Sequence, residues 1–582
     1  MPLSVGLGST FGPGEPYFTP MNSFVPNRLI QLVSGGMRGP LLAALLTILA
    51  ALPLVFLMPA LDRDESRFAQ ATSQMLETHD FININYQDTP RHKKPVGIHW
   101  LQAASVALTS KVEARSIVPY RWPSLLGAAL AAFACAWGAS KAFGTRIGTR
   151  AGLLFGVTFM LSTEAFWAKT DAVLCGLTTL ALVALSQIYL RSRDWKKGDA
   201  KPKILKLKLV FWLALAGAIL VKGPVPLLIV GLTLATLWGF DRRISWARHL
   251  GWLSGLIIIL VVCGPWAVAI TITTDGAFWS SAIGGDLASK LDSGSEGHFM
   301  WPGYHTALLA ATMFPASWLF GGALQAALQR RTEPAIRFAI AWFLPSFIFF
   351  ELMPTKLPHY PLPTFAGLAW LCAVSLDMNL KTWARVVNII FGLLGALIFS
   401  AIVIVGYTKW GSGGSIVFVV LTIISALGLG ILASWFLMRG YGRPGFGFLL
   451  AAGVLCHLGV WTLAASLKPI WLTNQMVQSL VTAHLDPRQG IAPGPVATLG
   501  YAEPSFVFTM GTRTKLCNED ANCAADALSD GRPVFVESHM ETAFQKAAAD
   551  RELKPHAVSR IKGHNYNGPD ETITLYDNPS AQ

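Results

Sequence analysis

Apolar runs of membrane length constrain the fold of this sequence more than any other feature. An α-helix needs about 20 mostly apolar residues to cross a bilayer, and such runs follow one another between residues 41 and 465. We count about thirteen, at 41–60, 121–140, 151–168, 172–190, 209–222, 224–239, 250–272, 305–327, 336–352, 360–376, 386–407, 415–437 and 446–465. The sequence therefore predicts an α-helical, polytopic membrane protein.

The composition supports a membrane protein. Charged residues make up 14% of the 582 residues and hydrophobic residues 53%, whereas a soluble globular protein carries about 25% charged residues. The formal net charge of +13 does not indicate a nucleic-acid-binding protein, because the basic residues lie in short loops between the apolar runs. Anionic lipid is the natural counter-charge for such loops.

The basic loops predict the orientation of the chain. With thirteen spans, the basic segments fall on the same side, which the positive-inside rule makes cytoplasmic. These segments are 141–150, 191–208, 242–248, 330–331, 381–385 and 439–443. Residues 1–38 are rich in Pro, Gly and Ser, which predicts a disordered cytoplasmic segment. Residues 39–466 then form the transmembrane domain, with exoplasmic loops at 61–118 and 273–304.

The tail, 467–582, differs in character from the rest. Helical patterns alternate with the β-like runs PVATLGY, PSFVFTMG, PVFVES and TITLYDN, which predicts a small exoplasmic α/β domain. Cys517 and Cys523 lie close together in this tail, where a disulfide between them would require an oxidising compartment. The other five cysteines fall inside apolar runs, where a thiol behaves as a small hydrophobic group.

The first exoplasmic loop concentrates charge next to the first span. Asp64 suits two roles: it can cap the following helix, or it can accept a proton from a sugar hydroxyl. Because it lies beside Arg67 and faces a second cationic cluster with Lys93 and Lys94, we favour the functional role. Arg67 and Lys94 can neutralise a phosphate leaving group. The alternative is that these cations are solvated or contact lipid phosphates without specificity.

Further ionisable residues lie on the same predicted face. Asp171 either caps a helix or acts in a site, and both interpretations stay open. Glu164 lies about one turn inside an apolar boundary, where ionisable groups are costly and commonly functional. Lys222, at a Gly-Pro break, either extends its ammonium towards the membrane surface or joins the same site.

Two later loops add candidates on this face. His298 lies in a Gly-bounded turn, although a lone histidine is more often structural or solvated. The segment FFELMPTKLPHYPLP places Lys356, His359 and Tyr360 in a loop whose path its prolines restrict. Such a loop suits side chains that must converge on one site.

The order of the motifs resembles that of a known enzyme family. DRDESRFAQ, HKKPVGIHWL, AKTDAVL, LVKGPV, SGSEGHFMWPGYH and TKLPHYPLP are similar to the bacterial lipid A aminoarabinose transferases. These are GT-C-type glycosyltransferases of the protein O-mannosyltransferase clan. The resemblance implies that Asp64 is the catalytic acid and Asp171 a second acid in the cavity. It also implies that Arg67 and Lys94 bind the polyprenyl phosphate, with His298 and Tyr360 near it and Lys356 in a loop over the site.

One motif departs from the family pattern. Relatives usually read Glu-Lys-Pro where this chain reads Lys93-Lys94-Pro95. The family's glutamate is a candidate metal ligand, so we assign no metal and expect no cofactor beyond the lipid-linked sugar donor. The substitution favours a more anionic sugar or acceptor, such as a uronic acid.

The sequence thus predicts a monomeric glycosyltransferase of the bacterial inner membrane that acts on the periplasmic face. We expect it to transfer a sugar from a polyprenyl phosphate, most simply undecaprenyl phosphate, to a lipid A or lipopolysaccharide acceptor. Three alternatives stay open. The chain is a protein O-glycosyltransferase with the same donor, a flippase for lipid-linked sugars, or a non-catalytic scaffold.

Overall fold

The computed structural model describes residues 36–196, 202–288, 299–490, 492–565, 568 and 570–579, and each predicted apolar run is helical in it. The elements before the tail are α1 (Arg38–Leu57), α2 (Asp64–Thr78), β1 (Asn85–Tyr86), β2 (Thr89–Pro90), α3 (Gly97–Thr109), α4 (Val118–Phe143), α5 (Thr145–Gly156), α6 (Phe159–Ala165), α7 (Asp171–Ser192), α8 (Leu205–Lys222), α9 (Val225–Asp241), α10 (Trp252–Thr273), α11 (Tyr304–Thr312), α12 (Phe320–Gln329), α13 (Pro334–Leu352), α14 (Phe365–Ser375), α15 (Thr382–Trp410), α16 (Gly413–Met438) and α17 (Gly442–Ser466). Most of the predicted segment 1–38 and part of the basic loop 191–208 lie outside the described residues.

By length and composition, eight helices within the described ranges can cross a membrane. They are α1, α4, α7, α10, α13, α15, α16 and α17. The pair Tyr304–Thr312 and Ala316–Gln329, bent by 99°, makes a ninth if it is one span. The remaining predicted runs form shorter or interrupted helices, so the count of thirteen stays a prediction.

Two of the interrupted helices break at the same place in the bundle. The run predicted at 151–168 divides into α5 and α6, and the amide of Phe159 donates to the carbonyl of Phe314 at 2.8 Å. Pro315, which follows Phe314, has no N–H and interrupts the other run. The backbone N–H left free at one break is therefore hydrogen-bonded to the backbone C=O at the other.

The backbones of α4 and α7 approach each other closely at two glycines. A Cβ on Gly127 would lie 2.7 Å from the Val173 backbone, and one on Gly176 would lie 2.4 Å from the Gly127 carbonyl oxygen. Small residues permit such contacts between membrane helices. Because α7 begins at Asp171, this contact also fixes where that carboxylate lies.

The tail forms a mixed five-stranded sheet flanked by helices. Its elements are α18 (Leu472–Thr482), β3 (Ala497–Leu499), α19 (Pro504–Met510), β4 (Lys515–Leu516), α20 (Ala521–Ser529), β5 (Val534–Glu537), α21 (Glu541–Ala549), β6 (His556–His564) and β7 (Asp570–Asp577). The strand order is β4-β3-β5-β7-β6. β3 pairs in parallel with β4 and β5, and β7 pairs antiparallel with β5 and β6. A disulfide joins Cys517 and Cys523.

The prediction of a strand at PSFVFTMG was wrong, because this segment is the helix α19. Pro504 occupies its first turn, a position where the missing N–H costs nothing. The helix is buried because it packs between the tail and α2. Its apolar residues therefore face two partners, and the resulting pattern lacks helical periodicity.

Contacts of α19 and the residues after it dock the tail on the loop that follows α1. The Phe508 ring packs edge-on against Tyr120 at a centroid distance of 5.3 Å. Arg115 donates to Gln70 Oε1 at 2.8 Å, and Gln70 Nε2 donates to Thr512 Oγ1 at 2.7 Å. The tail thus contacts the helix that carries Asp64 and Arg67.

Asp62 lies in this interface, where it accepts a hydrogen bond from the Ser505 hydroxyl. Burial raises the pKa of the Asp62 carboxyl from 3.8 to about 7. The Ser505 hydrogen bond and the Arg63 charge oppose this rise, while the carboxylates of Glu503 and Glu571 add to it. The docked tail therefore favours the protonated form of Asp62.

We expect docking of the tail to weaken as the pH rises. An exposed aspartate titrates near pH 3.9, whereas the docked Asp62 has a pKa of about 7. The docked state therefore binds the proton more tightly, and its stability is highest below about pH 4 and falls through about pH 7. Hydrogen exchange of residues 504–514, corrected for the intrinsic rate, should be faster at pH 8 than at pH 5.

Asp62→Asn should remove this pH dependence, because a neutral amide keeps the Ser505 hydrogen bond without titrating. The amides of β5 in the sheet core serve as the internal control. A pH dependence that persists in Asp62→Asn would assign the effect to another group.

Candidate functional site

A network of ionic side chains lies, almost entirely buried, at one end of the helical bundle. Glu164 is the penultimate residue of α6, Lys169 lies in the following turn, and Asp171 begins α7. Lys169 Nζ lies 3.1 Å from Glu164 Oε1 and 3.9 Å from Asp171 Oδ2. Lys222 Nζ, at the end of α8, lies 2.5 Å from Asp171 Oδ1. The structure therefore brings together three of the predicted residues, Glu164, Asp171 and Lys222.

His359 lies between the two carboxylates of this network. Its Nδ1 is 3.7 Å from Glu164 Oε1, and its Nε2 is 3.6 Å from Asp171 Oδ1. Burial lowers the pKa of His359 to about 3; Lys169 and Lys222 also lower it, while the carboxylates of Asp171 and Asp64 partly oppose them. The imidazole is therefore neutral near pH 7. The network thus places two lysines next to two acids, around a neutral imidazole.

Lys169 stays protonated despite its burial. Burial alone lowers its pKa, but the carboxylates of Glu164, Asp171 and Asp64 outweigh burial and raise it. The second oxygen of Glu164, Oε2, is buried and accepts no hydrogen bond in the part of the chain that the structure describes. This oxygen gives the network an unused acceptor.

Asp64 faces the network without touching it. Its carboxylate acts electrostatically on both Lys169 and His359. The residue is exposed, and no hydrogen bond or ion pair joins its side chain to another described residue. A carboxylate with this setting is accessible to an entering substrate.

Two arginines and an aromatic hydroxyl lie near one another on the first loop. Arg91 packs over the ring of Phe68 at 5.1 Å. Burial raises the pKa of Tyr86 to about 12; the positive charge of Arg67 opposes the rise, as does that of Arg91. The Tyr86 hydroxyl is buried and makes no hydrogen bond among the described residues. Both guanidinium groups therefore lie near an available hydroxyl.

The other candidates occupy different settings. Lys94 is half-buried, and Lys93 is exposed. The Tyr360 ring centroid lies 5.5 Å from Lys222 Nζ, so Tyr360 borders the ionic network. Lys356 instead donates to the carbonyls of Met300, at 2.8 Å, and Met353, which makes it a support of the loop backbone. His298 lies outside the described residues.

A fully buried ion pair fixes the start of α2. Arg121 Nε and Nη2 donate to Glu65 Oε1 and Oε2 at 2.8 and 2.9 Å. The remaining Arg121 donors bind carbonyls at the end of α1, those of Val55, Met58 and Pro59. Glu65 Oε1 also accepts from the amide of Ala168 at 2.8 Å. The pair therefore links α1, α2, α4 and the turn that carries Lys169.

Sequence reasoning missed the parts played by His359 and Arg121. His359 stands in the proline-rich loop that was identified, but only the fold shows that it reaches two acids. The sequence did contain one indication for Arg121: it is an arginine at the edge of an apolar run, and a charged side chain in that position needs a partner.

No group of three or more His, Cys, Asp and Glu side chains in the described ranges has the arrangement of a metal site. The position at which relatives usually carry the candidate ligand holds Lys93, and an ammonium group does not coordinate a metal ion. Glu65, Glu164 and Asp171 instead pair with arginine or lysine. The residues present therefore do not fit a metal at this position.

Comparisons with known proteins show which enzymes this chain resembles. A family model described as dolichyl-phosphate-mannose-protein mannosyltransferase matches residues 93–268. The undecaprenyl phosphate-alpha-4-amino-4-deoxy-L-arabinose arabinosyl transferase of Pseudomonas paraeruginosa is 26% identical over 466 residues, which cover 76% of this chain and 79% of that protein. The enzyme of the same name from Pectobacterium carotovorum is 25% identical over 444 residues, covering 72% and 71%.

Superposition on solved structures identifies the fold. ArnT from Cupriavidus metallidurans in the apo state superposes with a TM-score of 0.70 at 18% identity, covering 91% of this chain and 97% of that one. Its undecaprenyl phosphate-bound form also gives 0.70, at 17% identity, covering 95% and 98%. The chain has the ArnT fold. The predicted fold class and the resemblance to lipid A aminoarabinose transferases are thereby confirmed.

In this ArnT-like chain we expect Arg121→Met to be strongly destabilising. The substitution leaves the Glu65 carboxylate buried without its partner, which costs about 3–5 kcal/mol. Thermal unfolding in detergent, followed by loss of the monodisperse peak, should show a large fall in the melting temperature.

Arg146→Met is the matched control, because the Arg146 side chain is 70% exposed where it pairs with Asp377. An exposed pair contributes at most about 1 kcal/mol. Equal effects of the two substitutions would contradict the assigned role of Arg121.

Proposed function

We propose that this chain is a monomeric glycosyltransferase of the inner membrane that acts on the periplasmic face. It transfers a sugar from undecaprenyl phosphate to a lipid A or lipopolysaccharide-type acceptor. The observation that carries the proposal is the exposed Asp64 carboxylate, which faces a charge-balanced network beside the cations of the first loop. The names and fold of the relatives support the same reaction class.

The reaction needs no nucleotide, because the lipid-linked donor is already activated. An acceptor oxygen attacks the anomeric carbon while the bond from that carbon to the phosphate oxygen breaks. The electron pair leaves with the polyprenyl phosphate, and Arg67 and Lys94 neutralise its charge. If the acceptor is a hydroxyl, its proton passes to Asp64. If it is an ionised phosphate, no proton moves, and Asp64 orients the substrates.

The ionic network forms one preorganised side of the sugar-binding site. Lys169 and Lys222 hold Glu164 and Asp171 in place, so these groups need not reorganise during reaction. The unused Glu164 Oε2 and the neutral His359 offer hydrogen bonds to sugar hydroxyls, and the Tyr360 ring borders the same space. Asp171 acts as the second acid of the cavity.

Two observations support the periplasmic orientation. The disulfide between Cys517 and Cys523 is typical of an oxidising compartment, and the tail that contains it docks on the loop carrying Asp64. The predicted basic loops lie at the opposite ends of the helices. The positive-inside rule assigns that end to the cytoplasm.

Lys93 bears on the identity of the sugar. A cation at the position of the family's glutamate makes the entrance more positive and favours an anionic sugar or acceptor, such as a uronic acid. This preference is testable with purified protein and matched donors. A clear preference for a neutral sugar would contradict it.

A protein O-glycosyltransferase is the second candidate, because the matching family model describes protein mannosyltransferases. Assays that offer the same donor with lipid A or with Ser- and Thr-containing peptides separate the two. A flippase would move lipid-linked sugar without forming a glycosidic bond, and its function would survive Asp64→Asn.

We expect Asp64→Asn to lower kcat by about 10²- to 10⁴-fold, the range for loss of a general base, if the acceptor is a hydroxyl. Undecaprenyl phosphate should still bind, because the cations remain. Asp88→Asn is the control: it removes an exposed acid from the same loop and should leave kcat unchanged.

Lys94→Met should weaken undecaprenyl phosphate binding and lower kcat/KM for the donor, because it removes a charge-assisted contact with phosphate. Lys111→Met removes an exposed lysine of the same loop and serves as the control. Unchanged donor binding in Lys94→Met would contradict the phosphate-binding role.

A further inference from the structure

A second polar cavity lies at the end of the bundle opposite the ionic network. Its volume is about 310 Å³. The cavity is lined by the turn after α14, the start of α15 and the end of α16, with Trp318 at its base. Because α14 begins near the loop of His359 and ends at Ser375, the two sites lie at opposite ends of that helix. We call this space the Asp377 cavity, after the acid in its wall.

Buried donors without acceptors line the Asp377 cavity. Asn388 is 8% exposed, and its Oδ1 accepts from the amide of Gly322 at 3.1 Å. That bond fixes the amide orientation, so the Nδ2 donors are directed elsewhere and bind no described residue. A ligand rich in acceptor oxygens would satisfy these amide donors.

The charge around the cavity is positive. Arg385 lines it with an exposed guanidinium that forms no ion pair among the described residues. Asp377 is already bound by Arg146 at 2.8 Å and Arg150 at 2.7 Å, and Arg443 acts electrostatically on Arg150. Arg146 and Arg150 therefore already pair with this carboxylate, and Arg385 adds a further positive charge to the lining. The excess positive charge favours an anionic ligand. Guanidinium groups match the geometry of phosphate oxygens.

The cavity also borders the lipid-facing surface. Met438, one of its lining residues, is 44% exposed at the end of α16. Cations at helix ends lie at the depth of lipid head groups. A ligand that fills the cavity thus meets arginine and amide donors at one end and bilayer hydrocarbon at the other. A phospholipid has this distribution, whereas free phosphate does not.

We propose that the Asp377 cavity binds the head group of an anionic phospholipid from the leaflet opposite the reaction site. Its phosphate oxygens accept from Arg385 and Asn388 Nδ2, and its acyl chains lie along the apolar surface next to Met438. The site is separate from the donor site and does not depend on the proposed transferase activity. In the orientation proposed above, the lipid belongs to the cytoplasmic leaflet.

Native mass spectrometry of the purified full chain tests the proposal, with phosphatidylglycerol and phosphatidylcholine of equal chain length. We expect phosphatidylglycerol to bind at least tenfold more tightly. Arg385→Gln should weaken it about tenfold, the effect of one lost charge-assisted contact. This variant should fold normally, because its guanidinium makes no ion pair within the described ranges.

Asn388→Asp tests the role of the Asn388 amide donors directly. It keeps an acceptor for the Gly322 amide but replaces the free donors with a negative charge, so phosphatidylglycerol binding should fall by tenfold or more. Arg243→Gln removes an exposed arginine from the same predicted face and should change nothing. Melting temperature checks that each variant is folded.

Three results would overturn the proposal. Equal binding of phosphatidylglycerol and phosphatidylcholine is the first. Equal weakening by Arg243→Gln and Arg385→Gln is the second, and it would indicate a general charge effect. Competition by millimolar inorganic phosphate would identify free phosphate, not a lipid, as the ligand. Asp64→Asn should leave phosphatidylglycerol binding intact, so failure here is distinguishable from failure of the transferase assignment.

Discussion

The buried pair of Glu65 and Arg121 is the interaction on which the geometry of the site depends. Removing two charges from water is costly, and the cost is offset only when every donor and acceptor finds a partner. Here the guanidinium binds one carboxylate through both oxygens and three backbone carbonyls, and the carboxylate also accepts two amides. Because Asp64 precedes Glu65 in the same helical turn, its position relative to Lys169 is set by this pair.

Charge balance explains how so many ionic groups tolerate a setting at the end of a membrane bundle. Two lysines offset two carboxylates, and burial keeps His359 neutral instead of adding a third cation. Asp64 lies outside this network and is exposed. In the reaction proposed above, the donor phosphate contacts the cations of the first loop, and the sugar contacts the preorganised network.

The sequence predicts the helices well and the contacts between them poorly. Every apolar run is helical, because burial in lipid demands a helix wherever the run is long enough. Asp64, Arg67 and Lys94 stand out because charge is rare in such a chain. His359 and Arg121 do not, because their partners are distant in sequence: Arg121 pairs with Glu65 across 56 positions, and His359 lies between Glu164 and Asp171. Lys356 looked equally suitable for the cavity, and only the fold shows that it binds carbonyls of its own loop.

The paired helix breaks at Phe159 and Phe314 bear on how a long isoprenoid chain reaches this enzyme. Their backbone groups satisfy each other inside the protein, and hydrocarbon in their place would leave an amide and a carbonyl with no partner. A lipid chain therefore cannot pass between these two breaks without separating the amide of Phe159 from its acceptor. The same contact that closes two interrupted helices onto each other thus also closes this point of the bundle to hydrocarbon.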